Sequence, residues 1–433
     1  MTADRSVSFG AELRRRREHD GMSLKELSGK VHYSTGHLSK IENERKQPTV
    51  ELARLCDAVL GADGELTALV GEPRKRTADD GDTAGVPGGA ILTVSLAPDG
   101  SGLLVPAGPP GPQAGMGALA GLALAGRGAR LAAGDDIALR HFRASFDQLR
   151  AFGQASSPHL TLSMLAVQFR LVHAIAQQAE GELRQELFRL AARYSELSGW
   201  MAQEAGDDRL ARWFTAEAVV LAELGGDPHL ARYALVRRAD MAMYRHDAIS
   251  TIELAERAGA DASVPARTRA IAALRQAQGH AMNDDREACE RLLDRAGLLF
   301  ELAAVEEAAG PVLGSTNMAD PVAMVRAWCL HELGRPAEAA AALDLPVDGM
   351  APHARRPRAV WGARRALAYA YAGEIGRACE LATTALDDAE ATASATARQD
   401  LTALRAILTW WGSNPSVREL LPRLARALHV PVD

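Results

Sequence analysis

The sequence has few cysteines, few aromatic side chains and no long apolar run. Its four cysteines, Cys56, Cys289, Cys329 and Cys379, lie far apart without paired spacing. This spacing argues against a disulfide framework or a structural zinc site and indicates buried thiols in a reducing compartment. The first twenty residues lack the apolar core of a signal peptide, and the weakly polar stretch 114–126 is shorter than the roughly 18–20 residues of a membrane helix. We therefore expect a cytoplasmic protein with no membrane partner.

Catalytic motifs are missing as well. The sequence has no Walker loop, no nucleophile elbow, no HExxH motif and no Cys/His pair at ligand spacing. Several glycines between 115 and 128 superficially suggest a nucleotide loop, but no strand of a βαβ unit with the required acidic residue accompanies them. We expect that the protein is not an enzyme and uses neither a cofactor nor a metal.

Charge is distributed unevenly along the chain. With 433 residues, 24% of them charged and 47% hydrophobic, the composition is that of a globular protein of about two or three domains. The net charge is −6, yet residues 5–46 carry a net +4, so the remainder carries −10. A small basic segment on an acidic remainder is typical of a DNA-binding module attached to a part that does not bind DNA.

Composition divides the chain into three segments. Residues 1–72 contain short helical patterns with tight connections, and residues 73–129 form a Gly/Pro-rich linker with seven prolines and nine glycines between 73 and 115. Two short apolar runs around Pro98-Asp99-Gly100 make 91–105 either a β-hairpin or part of a flexible linker. Residues 130–433 have helical periodicity almost throughout.

The last segment repeats a helix, a short polar turn and a second helix. The turns share a central Gly, His or Asp: 205–207, 245–247, 283–285, 333–335 and 372–374. A small or Thr residue follows each turn, namely Ala211, Thr251, Ala288, Ala339 and Ala378. A period near 40 residues in helix pairs predicts an α-solenoid, because one pair cannot bury its own apolar face. An irregular helical bundle is the alternative.

Residues 22–42 have the pattern of a helix-turn-helix. Ser23 followed by Glu26 is a capping box that predicts a helix from Leu24 to Val31. Ser34 caps a second predicted helix, Thr35 to Glu42. The apolar residues Leu27, Val31, Leu38 and Ile41 lie on inward faces. This unit presents the start of its second helix to the DNA major groove.

Over residues 9–70 the chain resembles the XRE family of Cro/repressor-type helix-turn-helix domains, with Glu42-Asn43 and Pro48 at the positions where that family leaves the recognition helix. The resemblance implies a five-helix domain that binds double-stranded DNA. The residues it implies at the DNA are Ser23, Ser34, Thr35, Gly36, His37, Lys40, Arg45 and Lys46. Two positions depart from the family pattern: His32 replaces the turn glycine, and Leu24 replaces a contacting glutamine.

Gly36 offers no side chain at a position that reads bases, so Thr35, His37 and Lys40 would carry most of the readout. We expect modest specificity per half-site and hence a homodimer on a two-fold symmetric operator. The arginines 14–17 are either phosphate contacts or a solvated helix face.

The repeat segment resembles tetratricopeptide-like repeats, best in its last pair, 367–386. A helix-turn-helix domain joined to such repeats is similar in architecture to the peptide-pheromone receptors of Gram-positive bacteria. This implies an all-α fold with a right-handed solenoid that senses a small molecule or peptide. Candidate ligand residues on the first helices of the pairs are Arg237, Arg238, Asp240, Tyr244 and Gln278. An Arg and an Asp one turn apart also fit an ordinary surface ion pair.

Two other functions fit the same sequence. The repeats of a DNA-binding adaptor would dock a second protein on a broad exposed apolar groove. A constitutive dimeric factor would need neither groove nor pocket, whereas a receptor would have a pocket with converging polar groups. Trp200, Trp213, Trp328 and Trp361 are predicted in the repeat core, and of the adjacent Trp410 and Trp411 one is predicted at a dimer contact or a cap.

Overall fold

The structure is a computed structural model that describes residues 8–31, 35–42, 48, 50–62, 64–69, 92–96, 102–106, 136–306, 313–314, 318 and 320–428. The chain divides into two compact units, Met1–Gly89 and Ala90–Asp433, here the N-terminal unit and the repeat unit. The described residues form nineteen α-helices, one short 3₁₀ turn and one β-hairpin. The all-α fold predicted from periodicity is therefore confirmed, with the hairpin as its only described β-structure.

The N-terminal unit contains five short helices around one apolar core. They are α1 (Phe9–His19), α2 (Leu24–Val31), α3 (Thr35–Glu42), α4 (Val50–Leu60) and α5 (Glu65–Leu69). Leu27, Val31, Leu38 and Ile41 are buried, as their spacing predicted. Leu13 and Leu52 join them in this core, and Leu55 and Val59 pack against it partly buried.

Side-chain caps fix where two of these helices begin. The Ser23 amide donates to the Glu26 carboxylate over 2.8 Å, and the Glu26 amide donates to the Ser23 hydroxyl over 3.2 Å. This is the predicted capping box of α2. Asp57 on α4 accepts hydrogen bonds from the amides of Leu66 and Thr67, both at 2.9 Å, and so holds the start of α5.

Helix α1 comes very close to the end of α3 at Gly10. A Cβ atom at this position would lie 2.3 Å from the carbonyl oxygen of Ile41 and 3.1 Å from that of Glu42. Any other residue would force the two helices apart. Gly10 thus sets the distance between α1 and the helix that is predicted to read DNA.

The repeat unit contains fourteen helices in the described residues, which pair in sequence order. They are α6 (Asp136–Gly153), α7 (Pro158–Gln178), α8 (Gly181–Glu204), α9 (Asp208–Gly225), α10 (Pro228–Tyr244), α11 (Ala248–Gly259), α12 (Ala266–Met282), α13 (Arg286–Val305), α14 (Pro321–Glu332), α15 (Pro336–Asp348), α16 (Arg355–Tyr371), α17 (Ile375–Thr392), α18 (Ala395–Leu408) and α19 (Pro415–Leu428). Each even-numbered helix is the first of its pair, and α10, α12 and α14 pack side by side, as do α16 and α18.

The five predicted turns share one backbone conformation. Their central residues, Gly206, His246, Asp284, Gly334 and Gly373, all have φ between +57° and +86°. In each turn the amide of the next residue donates to a carbonyl five residues earlier, as Asp207 does to Ala202 over 2.9 Å. This is the Schellman motif, which ends one helix and lets the next begin at once.

The small residues that follow these turns are buried. Ala211, Thr251, Ala339 and Ala378 have no exposed surface, and Ala288 has little. Small side chains at these positions let the second helix of each pair pack closely on the first. The period in the sequence thus corresponds to a structural repeat.

A two-stranded hairpin lies near the start of the repeat unit. Strand β1 (Leu92–Leu96) pairs antiparallel with β2 (Gly102–Pro106), with Val94 opposite Leu104, and β2 lies beside α7. Of the two alternatives for 91–105, the structure has the hairpin. The predicted domain limits at 72 and 129 lie outside the described residues.

Helix α7 corrects the sequence argument on membrane helices. Pro158–Gln178 has 21 residues, and an 18-residue window within it has a mean hydropathy of 1.2, so by length and composition it could cross a membrane, whereas only the shorter stretch 114–126 was considered from the sequence. In the structure 44% of the 18-residue window is buried inside the protein. One such helix is weak evidence for a membrane span, because core helices of soluble proteins can be equally long and apolar.

All four cysteines are free and buried, as predicted. Their spacing gave no sign that two of them meet: the thiols of Cys289 on α13 and Cys329 on α14 are close enough to shift each other's pKa. This interaction lowers the pKa of Cys289, whereas burial raises that of Cys329. The pair lies within the apolar core between the two helices.

The tryptophans divide into buried and exposed groups. Trp361 is buried, and Trp200, Trp213 and Trp328 are partly buried against the cores of the repeat unit. Trp410 and Trp411 lie in the 3₁₀ turn between α18 and α19, and both are exposed, Trp410 by 82%.

Candidate functional site

The N-terminal unit has the helix-turn-helix arrangement, but most of the predicted DNA contacts lie outside the described side chains. These are Ser34, Thr35, Gly36, His37, Lys40, Arg45 and Lys46, together with the turn residue His32. Ser23 is described and is exposed at the start of α2. Leu24, where the resembled family has a contacting glutamine, packs partly buried against the core. An apolar residue here therefore supports the fold of α2.

The arginines 14–17 differ strongly in their surroundings. Arg14 and Arg15 are exposed and pair with Glu18 and Glu12 on the same helix. The Arg15 hydrogen bond lowers the pKa of Glu12 to about 2. Arg16 is largely covered and pairs with Glu12 and with Glu65 at the start of α5. The four arginines therefore do not form one solvated helix face, and phosphate contact by the exposed Arg14 and Arg15 stays a prediction.

Arg17 is buried and holds the end of α3 against α1. Its Nε donates to Glu42 over 2.6 Å, a terminal nitrogen donates to the other Glu42 oxygen over 2.9 Å, and its second terminal nitrogen donates to the carbonyl of Met22 over 2.8 Å. The side chains of Arg17 and Glu42 are 10% and 4% exposed. A bidentate pair of this kind fixes geometry, so Arg17 positions α3 and is not a phosphate contact.

The repeat unit contains a cavity of about 470 Å³. Most of its lining comes from the first helices of the pairs, with α6, α8, α10, α12, α14, α16 and α18 all contributing. Apolar side chains form much of the wall, including Phe146, Trp200, Val236, Leu274 and Trp361. Volume and lining are those of a small-molecule pocket.

Two positions of the repeat point into this cavity in all five turn-linked pairs. Nine residues before the left-handed turn residue stand Leu197, Arg237, Arg275, Val325 and Arg364. Thirteen residues before it stand Arg193, Tyr233, Ile271, Pro321 and Val360. All ten line the cavity. Aligning the repeats on their turns would have found these residues in the sequence, and the sequence reasoning missed this signal.

The predicted ligand residues are partly brought together here. Arg237, Asp240 and Tyr244 line the cavity, whereas Arg238 is not part of the lining. Gln278 is buried behind it and accepts a hydrogen bond from Arg275. The grouping of these residues on one face was therefore predicted only in part.

Asp240 joins two arginines in the wall. It accepts a hydrogen bond from Arg237 over 2.8 Å and forms an ion pair with Arg275. Arg237 also donates to Gln203 over 2.6 Å. This is a buried network between α8, α10 and α12 and not the surface ion pair that the spacing of Arg237 and Asp240 also allowed.

Arg364 forms another part of the wall. It donates to Asp400 and to the Tyr244 hydroxyl, each over 3.1 Å, and its guanidinium lies 4.6 Å from the centre of the Trp361 ring. Burial raises the pKa of both Asp400 and Tyr244. These contacts connect α10, α16 and α18 across the cavity.

Three further arginines line the cavity and are called here the arginine cluster: Arg150, Arg193 and Arg267. Arg150 donates to the carbonyl of Gly314 over 2.9 Å, and Arg267 donates to that of Leu313 over 3.0 Å. The Arg193 guanidinium lies 5.6 Å from the centre of the Phe146 ring.

The members of the arginine cluster act on one another electrostatically. Burial lowers the pKa of Arg193, Glu196 opposes this effect, and the positive charge of Arg150 adds to it. Burial also lowers the pKa of Arg267, again with a contribution from Arg150. The cavity therefore gathers like charges that the fold itself disfavours.

Arg356 connects the two ends of the repeat unit. It is 1% exposed and donates to Glu204 over 3.0 Å and to the carbonyls of Gly153 and Thr392 over 2.9 and 3.2 Å. Glu204 also accepts hydrogen bonds from the hydroxyls of Ser394 and Thr396. Helices from the beginning and the end of the unit are thereby joined around the cavity.

No group of three or more His, Cys, Asp or Glu residues that could hold a metal ion occurs among the described residues. The three carboxylates of the cavity lining, Glu196, Glu204 and Asp240, lie beside arginines instead. What the lining offers chemically is recognition by guanidinium groups and aromatic rings.

Comparison with known proteins bears on the N-terminal unit. Residues 8–70 match a family model described as a helix-turn-helix domain, and the match spans all five helices of this unit. No curated protein and no solved structure matches the chain. Together with the capping box and the buried core of α2 and α3, the match identifies residues 8–70 as a helix-turn-helix domain, which supports DNA as a partner and transcription regulation as the role.

Proposed function

We propose that this protein is a cytoplasmic, sequence-specific transcription regulator of the XRE type, dimeric on a two-fold symmetric operator, whose tetratricopeptide-like repeat unit senses a small molecule or peptide. One observation carries the proposal. The chain that contains a helix-turn-helix domain also contains a cavity to which all five turn-linked helix pairs contribute the same two positions. Regulation by binding, without catalysis, a cofactor or a membrane, is the function that fits both features.

The mechanism is a shift between conformations of the repeat unit. A ligand in the cavity would contact α8, α10, α12 and α16 together and so favour one arrangement of these helices. In a dimer, two domains must meet half-sites about 34–36 Å apart, so small rotations change the fit to DNA. The affinity for the operator would then depend on the ligand.

The cavity favours the receptor over the two other candidates. An adaptor needs a broad exposed apolar groove, and a constitutive factor needs no pocket. Here Arg237, Tyr244 and Arg364 converge on one space. Converging polar groups in an apolar pocket are the general sign of a small-molecule site.

The DNA-binding part is tested by selecting duplexes from a random library with the full-length protein. By the family resemblance Lys40 contacts bases, so Lys40→Ala should weaken binding to the selected duplex roughly tenfold or more, in the range of a lost base contact. Binding to an unrelated duplex at the same salt concentration should change much less. Arg291→Ala, an exposed position of α13, is the control. An equal loss on both duplexes would contradict the role of Lys40, and failure to enrich any sequence would contradict specific binding.

The dimeric and sensing parts are tested by native mass spectrometry of the full-length protein purified from its own host. A dimer that carries a reproducible additional mass, released on mild activation, supports the proposal. Adding the released compound should then change the affinity for the selected duplex. A monomer would contradict the symmetric operator, and a ligand without effect on DNA binding would contradict sensing.

A further inference from the structure

One connection of the repeat unit is longer than the others. The small residues Ala288 and Ala339 are 51 residues apart, whereas the other neighbours in this set are 37–40 residues apart. The additional residues lie between α13, which ends at Val305, and α14, which begins at Pro321. Connections of this length are uncommon in compact domains and often have a function.

Three described residues of this connection lie at the cavity or beside it. Gly314 and Met318 belong to its lining. Leu313 packs against the apolar core of the first helices of the repeat unit, which contains Phe146 and Tyr233, whereas α13 and α14 themselves belong to a different core. The connection thus reaches from the end of α13 to another part of the repeat unit.

Two arginines hold Leu313 and Gly314, which are called here the strap. Arg150 on α6 donates to the carbonyl of Gly314 over 2.9 Å, and Arg267 at the start of α12 donates to that of Leu313 over 3.0 Å. Both α6 and α12 contribute to the cavity lining. The strap therefore spans the space between these two helices, and hydrogen bonds of both arginines are used to hold it there.

The strap lies close against the cavity wall at Gly314. This residue has a φ of +80°, a conformation that favours glycine. A Cβ atom here would lie 2.7 Å from the Cδ1 atom of Ile271 and 3.5 Å from the hydroxyl oxygen of Tyr233, and both of these residues line the cavity. A larger side chain would have to displace Ile271 or move the strap away from the wall.

The strap is a part of the wall that can move without breaking a helix. The other described residues of the lining lie on α-helices, except Met318 of the same connection and Gln154, which directly follows α6. Helical residues are held by backbone hydrogen bonds within their own helix. The strap is held by two arginine side chains and by the half-buried Leu313. Segments with few buried contacts are those that open locally at a low cost in free energy.

We propose that the strap closes the cavity between α6 and α12, and that the ligand enters and leaves when the Arg150–Gly314 and Arg267–Leu313 hydrogen bonds are released. This regulates access to the site and rests on the proposed sensing function. A ligand that contacts Gly314 and Met318 favours the closed strap, because these contacts are lost when the strap opens. Opening of the strap, and not diffusion, then limits the rates of binding and release.

Access to the cavity is measured with a cysteine reporter in the full-length protein. Val360 on α16 lines the cavity and is 8% exposed, so Val360→Cys places a thiol on the wall with little change in size. The reagent is 4,4′-dithiodipyridine, a neutral aromatic disulfide that releases a coloured thione for each thiol it modifies. The four native cysteines are buried, at most 4% exposed, and report on unfolding.

The reporter should react at least roughly tenfold more slowly than in the urea-unfolded protein, because the reagent must wait for the strap to open. It should still react faster than the native cysteines of the repeat unit, which require unfolding. A reporter that reacts as fast as in the unfolded protein would show that the strap does not close the cavity and would overturn the proposal.

Two variants release the strap. Gly314→Asn adds bulk against Ile271 with a residue type that tolerates positive φ. Arg150→Met removes the donor to the Gly314 carbonyl and keeps a long side chain. Each variant should speed the reaction of the reporter roughly tenfold, in the range of a lost hydrogen bond to a charged group, and leave the native cysteines unchanged.

Gly334→Asn is the matched control. Gly334 has a φ of +78°, but a Cβ atom there would meet no described atom within 4 Å beyond its neighbours in the chain. The change has a similar backbone cost without the contact, so the reporter should react at the rate of the parent. An unchanged reporter rate in both Gly314→Asn and Arg150→Met would overturn the proposal. Equal acceleration of the reporter and the native cysteines of the repeat unit in both variants would also overturn it, since the cavity would then open only by unfolding.

These measurements contain neither ligand nor DNA, so the strap and the sensing function are tested separately. A result against the strap leaves the sensing function standing. A compound that is released from the purified protein and has no effect on DNA binding would contradict only the sensing function.

Discussion

The two units use buried arginine in different ways. In the helix-turn-helix domain, Arg17 forms a bidentate pair with Glu42 and a longer contact of 3.5 Å with Glu18, and its remaining nitrogen donates to a backbone carbonyl. Among the described residues that line the cavity of the repeat unit, seven are arginines and three are carboxylates. Where charge and hydrogen bonds balance, the arginine fixes the fold. In the cavity, by contrast, arginines from different helices share a carboxylate, as Arg237 and Arg275 share Asp240.

Whether a buried arginine has a structural role depends on its partners and not on whether it lines the cavity. Arg356 lines the cavity, but like Arg17 it is paired with a buried carboxylate. Its guanidinium is satisfied by Glu204 and by backbone carbonyls, and it is almost fully buried. Arg356 should therefore behave as a structural residue although it lies in the same cavity as Arg193. The following predictions test this distinction.

The largest effect is expected for Arg356→Ala. The change would leave Glu204 buried without its cation and the carbonyls of Gly153 and Thr392 without a donor, which together should cost about 5 kcal/mol or more. Calorimetry of the full-length protein should show this loss in the transition of the repeat unit. The neighbouring exposed Arg355→Ala is the control. A loss as small in Arg356→Ala as in Arg355→Ala would contradict the structural role.

Arg17→Ala should cost the helix-turn-helix domain about 3–5 kcal/mol, because Glu42 would remain buried and unpaired. Arg14→Ala on the same helix, where the Arg14–Glu18 pair is exposed, should cost less than about 1 kcal/mol. Urea unfolding of the full-length protein, followed on the transition of this domain, measures both. Equal losses in the two variants would remove the contrast between the buried and exposed arginines.

A smaller effect on the free energy of unfolding is expected when the pH is lowered. Protonation of Glu12 should destabilise the N-terminal unit, whereas protonation of Glu217 should stabilise the repeat unit. The pKa of Glu12 is lowered to about 2 by Arg15, below the unfolded value of about 4.3, so its carboxylate stabilises the domain at neutral pH and this contribution is lost as the pH falls towards 2. Burial raises the pKa of Glu217 on α9, so its carboxylate destabilises the repeat unit at neutral pH until it is protonated.

Urea unfolding at several pH values separates these two carboxylates. Glu12→Gln should be less stable than the unmodified protein at pH 7, with the difference shrinking as Glu12 is protonated. Glu217→Gln should be more stable at pH 7, with the difference shrinking as the pH falls through the raised pKa of Glu217. A Glu217→Gln variant that is less stable at pH 7 would mean that the carboxylate makes a stabilising contact.

Local sequence signals gave the helices of both units. The capping box of Ser23 and Glu26, the apolar spacing of Leu27 and Val31, and the turn at Ala205-Gly206-Asp207 act within one or two helical turns. Such signals depend on residues close in the chain, so the limits predicted for α2 and α3 are those of the structure. The tetratricopeptide-like identity of the repeats stays a prediction.

Contacts between distant residues were not predictable in the same way. The sequence treated arginines 14–17 as one group, but Arg17 alone meets Glu42, which is 25 residues away. The interaction between the Cys289 and Cys329 thiols likewise joins two helices, and the spacing of the two cysteines in the sequence does not indicate it. Each contact depends on how helices pack, and that is decided by many weak apolar contacts at once.

The sequence by itself determined the elements: a capped helix-turn-helix, and helix pairs whose turns recur about every 40 residues because one pair cannot bury its apolar face. Only the tertiary structure decided which arginines meet. Arg150 and Arg364 are 214 residues apart in the chain, yet both line one cavity because stacking the pairs puts the same helix face on the same side each time. Because these arginines are brought together away from water, their charges must be paired by other groups of the protein or by a ligand.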